Sequence, residues 1–210
     1  MLDLLDLAQN LAAVGRTRRR VGVGATAPAG AATLAMLAVG LSGCSTSGEA
    51  ATTTGYITGK GVVTLVEPAD RRDVPEVEGK TLDGTPVAVS DYLGQIVVLN
   101  VWTSDCAPCR SEADDLVAAS RQLPRTVFVG INTREPETKA EAFVREHSIP
   151  YDSIFDPDSS VMLSFYGMLT PQSLPSTVVI DTQGRIAALV LGEVTENTLV
   201  GIVDDVAGEA

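Results

Sequence analysis

Aromatic residues, histidine and cysteine are all scarce in this sequence of 210 residues. Aromatic side chains make up 4% of the chain, so a core has to be built from aliphatic residues. Three cysteines are too few for a miniprotein held together by several disulfides. Basic residues are outnumbered, with 15 against 27 acidic ones. The resulting net charge of −12 argues against broad nucleic-acid binding.

What the sequence does contain fits a globular domain with extra segments. Hydrophobic residues make up 45% of the chain and charged residues 20%, which excludes a wholly disordered protein. The length is that of one ordinary domain with some residues to spare. With three cysteines, one dithiol pair leaves one cysteine over, and the position of that cysteine becomes informative.

The N-terminal segment has the pattern of an export signal. Arg16 and its neighbours at 18–20 form a basic cluster, residues 21–43 carry no charge, and small residues precede Cys44. The stretch 41–44 resembles a bacterial lipobox, which predicts a lipoprotein signal peptide over 1–43 and lipidation of Cys44. An uncleaved transmembrane anchor is the alternative. Both interpretations place the residues after Cys44 outside the cytoplasmic membrane.

Residues 44–61 are rich in Thr, Ser, Gly and Ala and predict a flexible tether, which leaves 62–210 as the folded domain. Within that domain, apolar runs alternate with stretches of helical spacing. The predicted strands and hairpin cover 62–66, 80–89 (hairpin), 96–101, 126–131, 177–180 and 186–191. The predicted helices cover 108–123, 136–146, 160–166 and 195–206. This order predicts an α/β fold, with helices flanking a central mixed sheet.

One motif carries the chemistry. Cys106 and Cys109 stand two residues apart, directly after a buried strand and at the start of a helix. Unpaired N–H groups and the helix dipole at this position stabilise a thiolate on Cys106. The helical turn brings Cys109 beside it, so that Cys109 can resolve a mixed disulfide formed on Cys106. A Cys-x-x-Cys pair at a strand-to-helix junction is a strong redox signal.

Residues from about 70 to 208 resemble the TlpA/ResA-like thiol–disulfide oxidoreductases of bacterial envelopes, within the thioredoxin superfamily. The matching stretches are 82–84, 89–94, 97–102, the Cys106–Cys109 motif with Glu112, 173–177, 180–181 and Gly184. The resemblance implies a thioredoxin-like fold, a central mixed β-sheet flanked by helices, with an N-terminal β-hairpin extension. It also implies a redox-active disulfide between Cys106 and Cys109 and no other cofactor or metal.

The same resemblance assigns roles to further residues. It implies a cis bond between Leu174 and Pro175, facing the disulfide and lying against the substrate backbone. A trans proline at the start of a strand is the alternative. Trp102, Leu174 and Pro108 are expected to line the substrate-binding surface. Glu112, one helical turn after Cys109, is expected to lie near the dithiol and to move protons, and a solvated surface position is the alternative.

Asp105 is the main departure from the family, which usually has tryptophan before the first cysteine. A carboxylate at this position is expected to raise the pKa of the Cys106 thiol by like-charge repulsion. The alternative is that Asp105 points to water and does little.

Taken together, these features predict a membrane-anchored extracytoplasmic thiol–disulfide oxidoreductase. We expect it to reduce disulfides of exported proteins, such as apocytochrome c, with electrons from a membrane thiol reductase. An oxidase for exported proteins is the first alternative. A copper-delivery protein is an alternative of another class, although His147 is badly placed for it. A peroxiredoxin is less favoured because Leu99 stands where that family has proline, and a zinc site fails for lack of ligands.

Overall fold

The computed structural model describes residues 53–58, 61–170 and 172–209. The strands are β1 (Thr53–Thr58), β2 (Gly61–Val66), β3 (Glu78–Lys80), β4 (Pro86–Ala88), β5 (Val97–Trp102), β6 (Val127–Thr133), β7 (Ser153–Asp156), β8 (Ser176–Ile180) and β9 (Ile186–Gly192). The helices are α1 (Ala107–Gln122), α2 (Glu137–His147), α3 (Ser160–Ser164) and α4 (Glu196–Gly208). Short 3-10 turns cover Pro68–Asp70 and Val89–Tyr92.

The described strands form a mixed sheet in the order β1-β2-β9-β8-β5-β6-β7, with β3 and β4 paired separately. Strands β5, β6 and β7 run parallel, and β8 returns antiparallel against β5. Strand β5 is central and buried at every position, as its apolar run predicts. The predicted thioredoxin-like α/β fold is confirmed, and β3–β4 is the predicted hairpin.

The tether prediction is wrong at its C-terminal end. Thr53–Thr58 forms β1, which pairs antiparallel with β2 from Thr53↔Val66 to Thr58↔Gly61. The threonines that suggest a linker are β-branched, and such residues favour a strand once a partner strand is available. The signal peptide prediction and Cys44 lie outside the described residues. Within the part of the chain that is described, no helix is long and apolar enough to cross a membrane.

Helices cover both faces of the sheet. On one face, α1 and α4 pack on β5 and β8 through residues such as Val98, Leu116 and Leu199. On the other face, Leu99 and its neighbours pack against Phe165, which follows α3. Both faces of β5 are therefore covered by apolar residues. The polar and reactive groups lie beyond its carboxyl end.

Helix boundaries follow from local chemistry. Cys106 is the N-cap of helix α1, and Pro108 lies in the first turn, where a missing N–H costs nothing. The N-cap of helix α4 is Thr195, whose hydroxyl accepts a hydrogen bond from the Thr198 N–H. Helix α2 ends at His147, before Ser148 in a left-handed conformation.

Candidate active site

Cys106 and Cys109 form a disulfide at the junction of β5 and α1, with their Cα atoms 5.2 Å apart. Cys106 is partly exposed, whereas Cys109 is 2% exposed. An incoming thiolate can therefore reach the Cys106 sulfur much more easily than the Cys109 sulfur. This asymmetry is the one expected for an attacking and a resolving cysteine.

The backbone around the disulfide favours negative charge on Cys106. The Cys109 N–H donates a hydrogen bond to the Cys106 sulfur over 3.1 Å. That N–H belongs to the first turn of α1, where the other N–H groups without a helical partner and the positive end of the helix dipole also face Cys106. In the reduced protein these groups stabilise a thiolate, the form of cysteine that reacts with disulfides.

Glu112 is buried on α1, on the same helix face as Cys109 and one turn further along. Its side chain is 1% exposed, so the surface position considered above is excluded. Asn100 on β5 donates an amide hydrogen bond to Oε1 over 2.8 Å, and the Val194 N–H donates to Oε2 over 3.0 Å. Thr177 accepts a further bond from the same amide over 3.2 Å. The carboxyl group is thus held in one orientation by β5, β8 and the segment before α4.

Burial raises the pKa of Glu112 to about 8, despite the hydrogen bonds from Val194 and Asn100, which favour the charged form. Nearby Glu193 and Asp115 add smaller repulsive contributions in the same direction. A pKa of about 8 is close to that of an ordinary thiol, about 8.5. A proton can therefore pass between such a carboxyl and a thiol near neutral pH at little cost.

Trp102 lies directly beside the disulfide in the core. It is 3% exposed and belongs to one cluster with Cys109, Ala113, Ala140 and Phe143. Its ring stacks on that of Phe143, with the centroids 4.6 Å apart. The resemblance implies a place for Trp102 on the substrate-binding surface. It belongs, however, to the wall behind the dithiol and not to an open binding surface.

Gly130 on β6 makes room for the indole. A Cβ at that position would lie 2.8 Å from Trp102 Nε1 and 2.1 Å from the Ser153 hydroxyl oxygen. Any side chain there would displace the tryptophan and, with it, the packing of Cys109.

The peptide bond between Leu174 and Pro175 is cis, as the resemblance implies. Pro175 is buried, and its carbonyl accepts a hydrogen bond from the Gly192 N–H over 2.9 Å. Leu174 is partly buried and packs against the cluster that contains Trp102, Cys106 and Cys109. Pro108, also partly buried, lies between the two cysteines in the first turn of α1.

Asp105 points away from the protein. Its side chain is 72% exposed, and its carboxylate pairs with the Lys139 ammonium group of α2 over 2.7 Å. The pKa of Lys139 is raised by the hydrogen bond and the charge of Asp105. This arrangement is closer to the second interpretation of Asp105 than to a carboxylate that repels the Cys106 thiolate unopposed.

Three features of the site were not anticipated from the sequence. These are the bond from Asn100 to Glu112, the Lys139 pair with Asp105, and a buried glutamate, Glu135, that contacts Ser104. The only available signal was the position of Glu135 just beyond the carboxyl end of a parallel strand, where functional groups gather in α/β folds. Across the described part of the chain, no three side chains drawn from His, Cys, Asp and Glu gather to hold a metal ion.

Comparison with known proteins places this geometry in a family. A family model described as the AhpC/TSA family matches residues 71–189. A thiol:disulfide interchange protein DsbE homolog of Paracoccus denitrificans is 34% identical over 118 residues, 55% of this chain and 62% of the relative. The thiol-disulfide oxidoreductase ResA of Geobacillus thermodenitrificans is 26% identical over 127 residues, 60% of this chain and 71% of the relative. The chain spans about three fifths of the length of relatives such as the Paracoccus protein.

Solved structures agree with this assignment. A DsbF homologue from Corynebacterium diphtheriae is 36% identical with a TM-score of 0.64, covering 73% of this chain and 99% of that one. A secreted thiol-disulfide isomerase from Corynebacterium glutamicum is 34% identical with a TM-score of 0.62, covering 72% and 99%. The chain belongs to the AhpC/TSA family and, within its thioredoxin-like fold, is of the ResA/DsbE type.

Proposed function

We propose that this protein is a thiol–disulfide oxidoreductase that acts on exported proteins through Cys106 and Cys109. The observation that carries the proposal is the disulfide itself. It lies at the N-terminus of α1, with one accessible and one buried sulfur and a buried carboxyl group one turn beyond. Relatives named thiol:disulfide interchange protein and thiol-disulfide oxidoreductase support the same activity.

In the reducing direction, the Cys106 thiolate attacks one sulfur of a substrate disulfide, and the other substrate sulfur leaves as a thiolate. The product is a mixed disulfide on Cys106. Cys109 then loses its proton and attacks the Cys106 sulfur. The Cys106–Cys109 bond forms, and the substrate is released as a dithiol carrying two electrons. In the oxidising direction, the same steps run in reverse.

Glu112 is the proton carrier for the buried cysteine. The Cys109 thiol has no access to bulk water, so its proton needs a nearby acceptor when it attacks. The Glu112 carboxylate, oriented by Asn100 and Val194, takes that proton, and its raised pKa, about 8, allows the proton to be returned. A Glu112 carboxylate that was always charged would repel the cysteine thiolate. Because its pKa is raised, Glu112 is neutral for part of the time and this repulsion is reduced.

The substrate chain binds beside the accessible sulfur, next to Leu174, Pro175 and Pro108. Leu174 packs onto the cluster that holds Cys106, and Pro108 lies in the turn between the two cysteines. Trp102 supports this surface from behind. Pro175 presents the backbone of the substrate to Cys106. No cofactor beyond the disulfide is needed for the exchange.

We further propose that the protein works on the outer face of the cytoplasmic membrane, anchored by a lipid on Cys44. The basic cluster, uncharged stretch and small residues before Cys44 support this location. An extracytoplasmic reductase loses its electrons to an oxidising compartment, so a membrane thiol reductase supplies them. Apocytochrome c is the proposed substrate, since its haem-binding cysteines must be reduced.

The activity is tested with the purified full chain in both directions. The reduced protein is mixed with a disulfide-bonded protein, and the oxidised protein with a reduced, unfolded one, and thiols are counted over time. The proposal predicts turnover that Cys106→Ser abolishes. Activity in neither direction above that of Cys106→Ser would overturn it. Labelled fatty acid on the wild-type protein, absent from Cys44→Ser, tests the anchor separately.

A further inference from the structure

The turn between β5 and α1 determines where Cys106 lies. The Cys106 N–H donates to the Thr103 carbonyl over 3.2 Å, which closes a turn with Ser104 and Asp105 at its corners. In the oxidised protein the disulfide also holds Cys106. In the reduced protein that bond is gone, and the turn keeps the sulfur at the N-terminus of α1 together with the bond from the Arg110 N–H to the Cys106 carbonyl over 3.1 Å.

Glu135, just beyond β6, is hydrogen-bonded to Ser104, the first corner residue of this turn. Its carboxylate accepts the Ser104 N–H over 2.9 Å, and it also accepts the Ser104 hydroxyl and the Asn132 amide. The residue is 6% exposed, which is rare for a carboxylate unless its oxygens are satisfied by donors. Hydrogen bonds to an ionised acceptor are stronger than neutral ones, so this buried contact is a firm restraint on Ser104.

The backbone adopts a rare conformation immediately before Glu135. Arg134 has a φ of 60°, in the left-handed region that residues other than glycine seldom occupy. This conformation turns the chain out of β6 just where the carboxylate meets Ser104. Strained positions of this kind concentrate at functional sites, because the surrounding structure must hold them in place.

Two other contacts reach the turn, and both are more exposed. The Arg110 guanidinium donates to the Ser104 carbonyl over 2.7 Å at the surface. The Lys139–Asp105 pair is exposed at both ends, and exposed ion pairs contribute little. Of the groups that hold the turn, the Glu135 carboxylate is the buried one, and it acts on the residue two positions before the reactive cysteine.

We propose that Glu135 is a positioning residue for Cys106: through Ser104 it fixes the turn ahead of the cysteine and keeps the reduced sulfur at the N-terminus of α1. The inference rests on the proposed exchange chemistry at Cys106. Without this restraint, Cys106 spends part of its time away from the Cys109 N–H. The thiolate is then less stabilised and approaches a substrate disulfide in a productive orientation less often.

The test compares two substitutions of Glu135 in the reduced full chain. Glu135→Ala removes every bond to Ser104, whereas Glu135→Gln removes the charge and keeps an oxygen that can accept the Ser104 N–H. Iodoacetamide alkylation of the peptide containing Cys106 is followed by mass spectrometry from pH 5 to 10, which yields the pKa of the thiol. The rate of attack on a protein disulfide is measured in parallel. Glu137→Ala, an exposed acid on the same segment, is the matched control.

Positioning predicts that Glu135→Ala slows attack by about tenfold or more and raises the pKa of the Cys106 thiol. It also predicts that Glu135→Gln stays within about threefold of the wild-type rate, and that Glu137→Ala is unchanged. If Glu135 acts only through its charge, both Glu135 variants lower the pKa of the thiol, and the inference is wrong. Wild-type behaviour of Glu135→Ala would overturn it as well.

Two further measurements keep the test decisive. If thermal unfolding shows that Glu135→Ala is not folded, Glu135→Asp replaces it, because it keeps the charge but draws the carboxylate back by one methylene from the Ser104 N–H and hydroxyl. A slower rate with a raised thiol pKa supports positioning, and wild-type values overturn it. Alkylation does not depend on any biological substrate. A wild-type protein that fails to react with protein disulfides therefore refutes the proposed function, while the alkylation profiles still decide the role of Glu135.

Discussion

Replacing Glu112 with glutamine should change how the stability of the protein depends on pH. In the folded protein the pKa of Glu112 is raised from its ordinary 4.5 to about 8, chiefly by burial. Between these values the unfolded chain releases the proton while the folded protein keeps it. The stability that this group contributes is therefore complete below pH 4.5 and is lost as the pH rises through 8.

The size of the effect follows from the shift. Each pKa unit corresponds to about 1.4 kcal/mol, so the wild-type protein should lose on the order of 3–5 kcal/mol of unfolding free energy across this window. Glutamine does not ionise, and its amide can still bond to Asn100 or to the Val194 N–H. One of these two bonds is lost, because the amide nitrogen donates and cannot accept, at a cost of about 1 kcal/mol. Glu112→Gln should thus be more stable than wild type at pH 8 and similar or slightly less stable at pH 4.5.

Urea unfolding of the oxidised protein at several pH values between 4.5 and 9, followed by Trp102 fluorescence, measures this directly. Trp102 is the sole tryptophan, so the signal reports the region around the disulfide. Glu146→Gln, a change of the same kind at an exposed position, should run parallel to wild type. If the wild-type and Glu112→Gln curves are parallel as well, the buried carboxyl is not protonated at neutral pH and the reasoning fails.

Three other substitutions test separate parts of the account. Cys109→Ala should trap a mixed disulfide between Cys106 and its substrate, visible by mass spectrometry, because the resolving sulfur is missing; rapid turnover by this variant would contradict the assignment. Asp105→Asn should change the pKa of the Cys106 thiol by less than about half a unit, since the carboxylate is 72% exposed and paired with a lysine; a larger fall would show that Asp105 does oppose the thiolate. Arg71→Met should cost roughly 2–3 kcal/mol in urea unfolding, because it removes one of the two cations, Arg71 and Arg185, from the buried carboxylate of Asp181; no loss would mean that Arg185 suffices.

Most of the architecture could be predicted because buried strands and helices leave regular patterns of apolar residues in the sequence. The uninterrupted apolar run at Val97–Trp102 indicated a strand covered on both faces, and the structure places β5 at the centre. The short strand β7 was missed, because Ser153–Asp156 is only 4 residues long and mixes polar with apolar positions. Strand β1 was missed because a threonine-rich stretch suits either a linker or a strand, and only the partner β2 decides.

The reactive cysteines could be predicted from their spacing and their place between a buried strand and a helix, whereas their surroundings could not. Resemblance to a family suggested Glu112, but its raised pKa depends on burial and on bonds from Asn100 and Val194, which are distant in sequence. Glu135 gave no signal beyond its place just after the carboxyl end of β6. Its contact with Ser104 joins residues 31 positions apart, and it exists only because β5 and β6 are neighbours in the sheet.

The reduction potential of the Cys106–Cys109 pair tests the central claim most directly. The full chain is equilibrated with thiol–disulfide buffers, and the fraction reduced is read from Trp102 fluorescence. We expect one reversible two-electron couple at about −270 mV or lower, as suits a reductase supplied with electrons from the membrane. A value near −120 mV would contradict the reducing direction and make the protein an oxidase, and the absence of a reversible couple would contradict thiol–disulfide exchange itself.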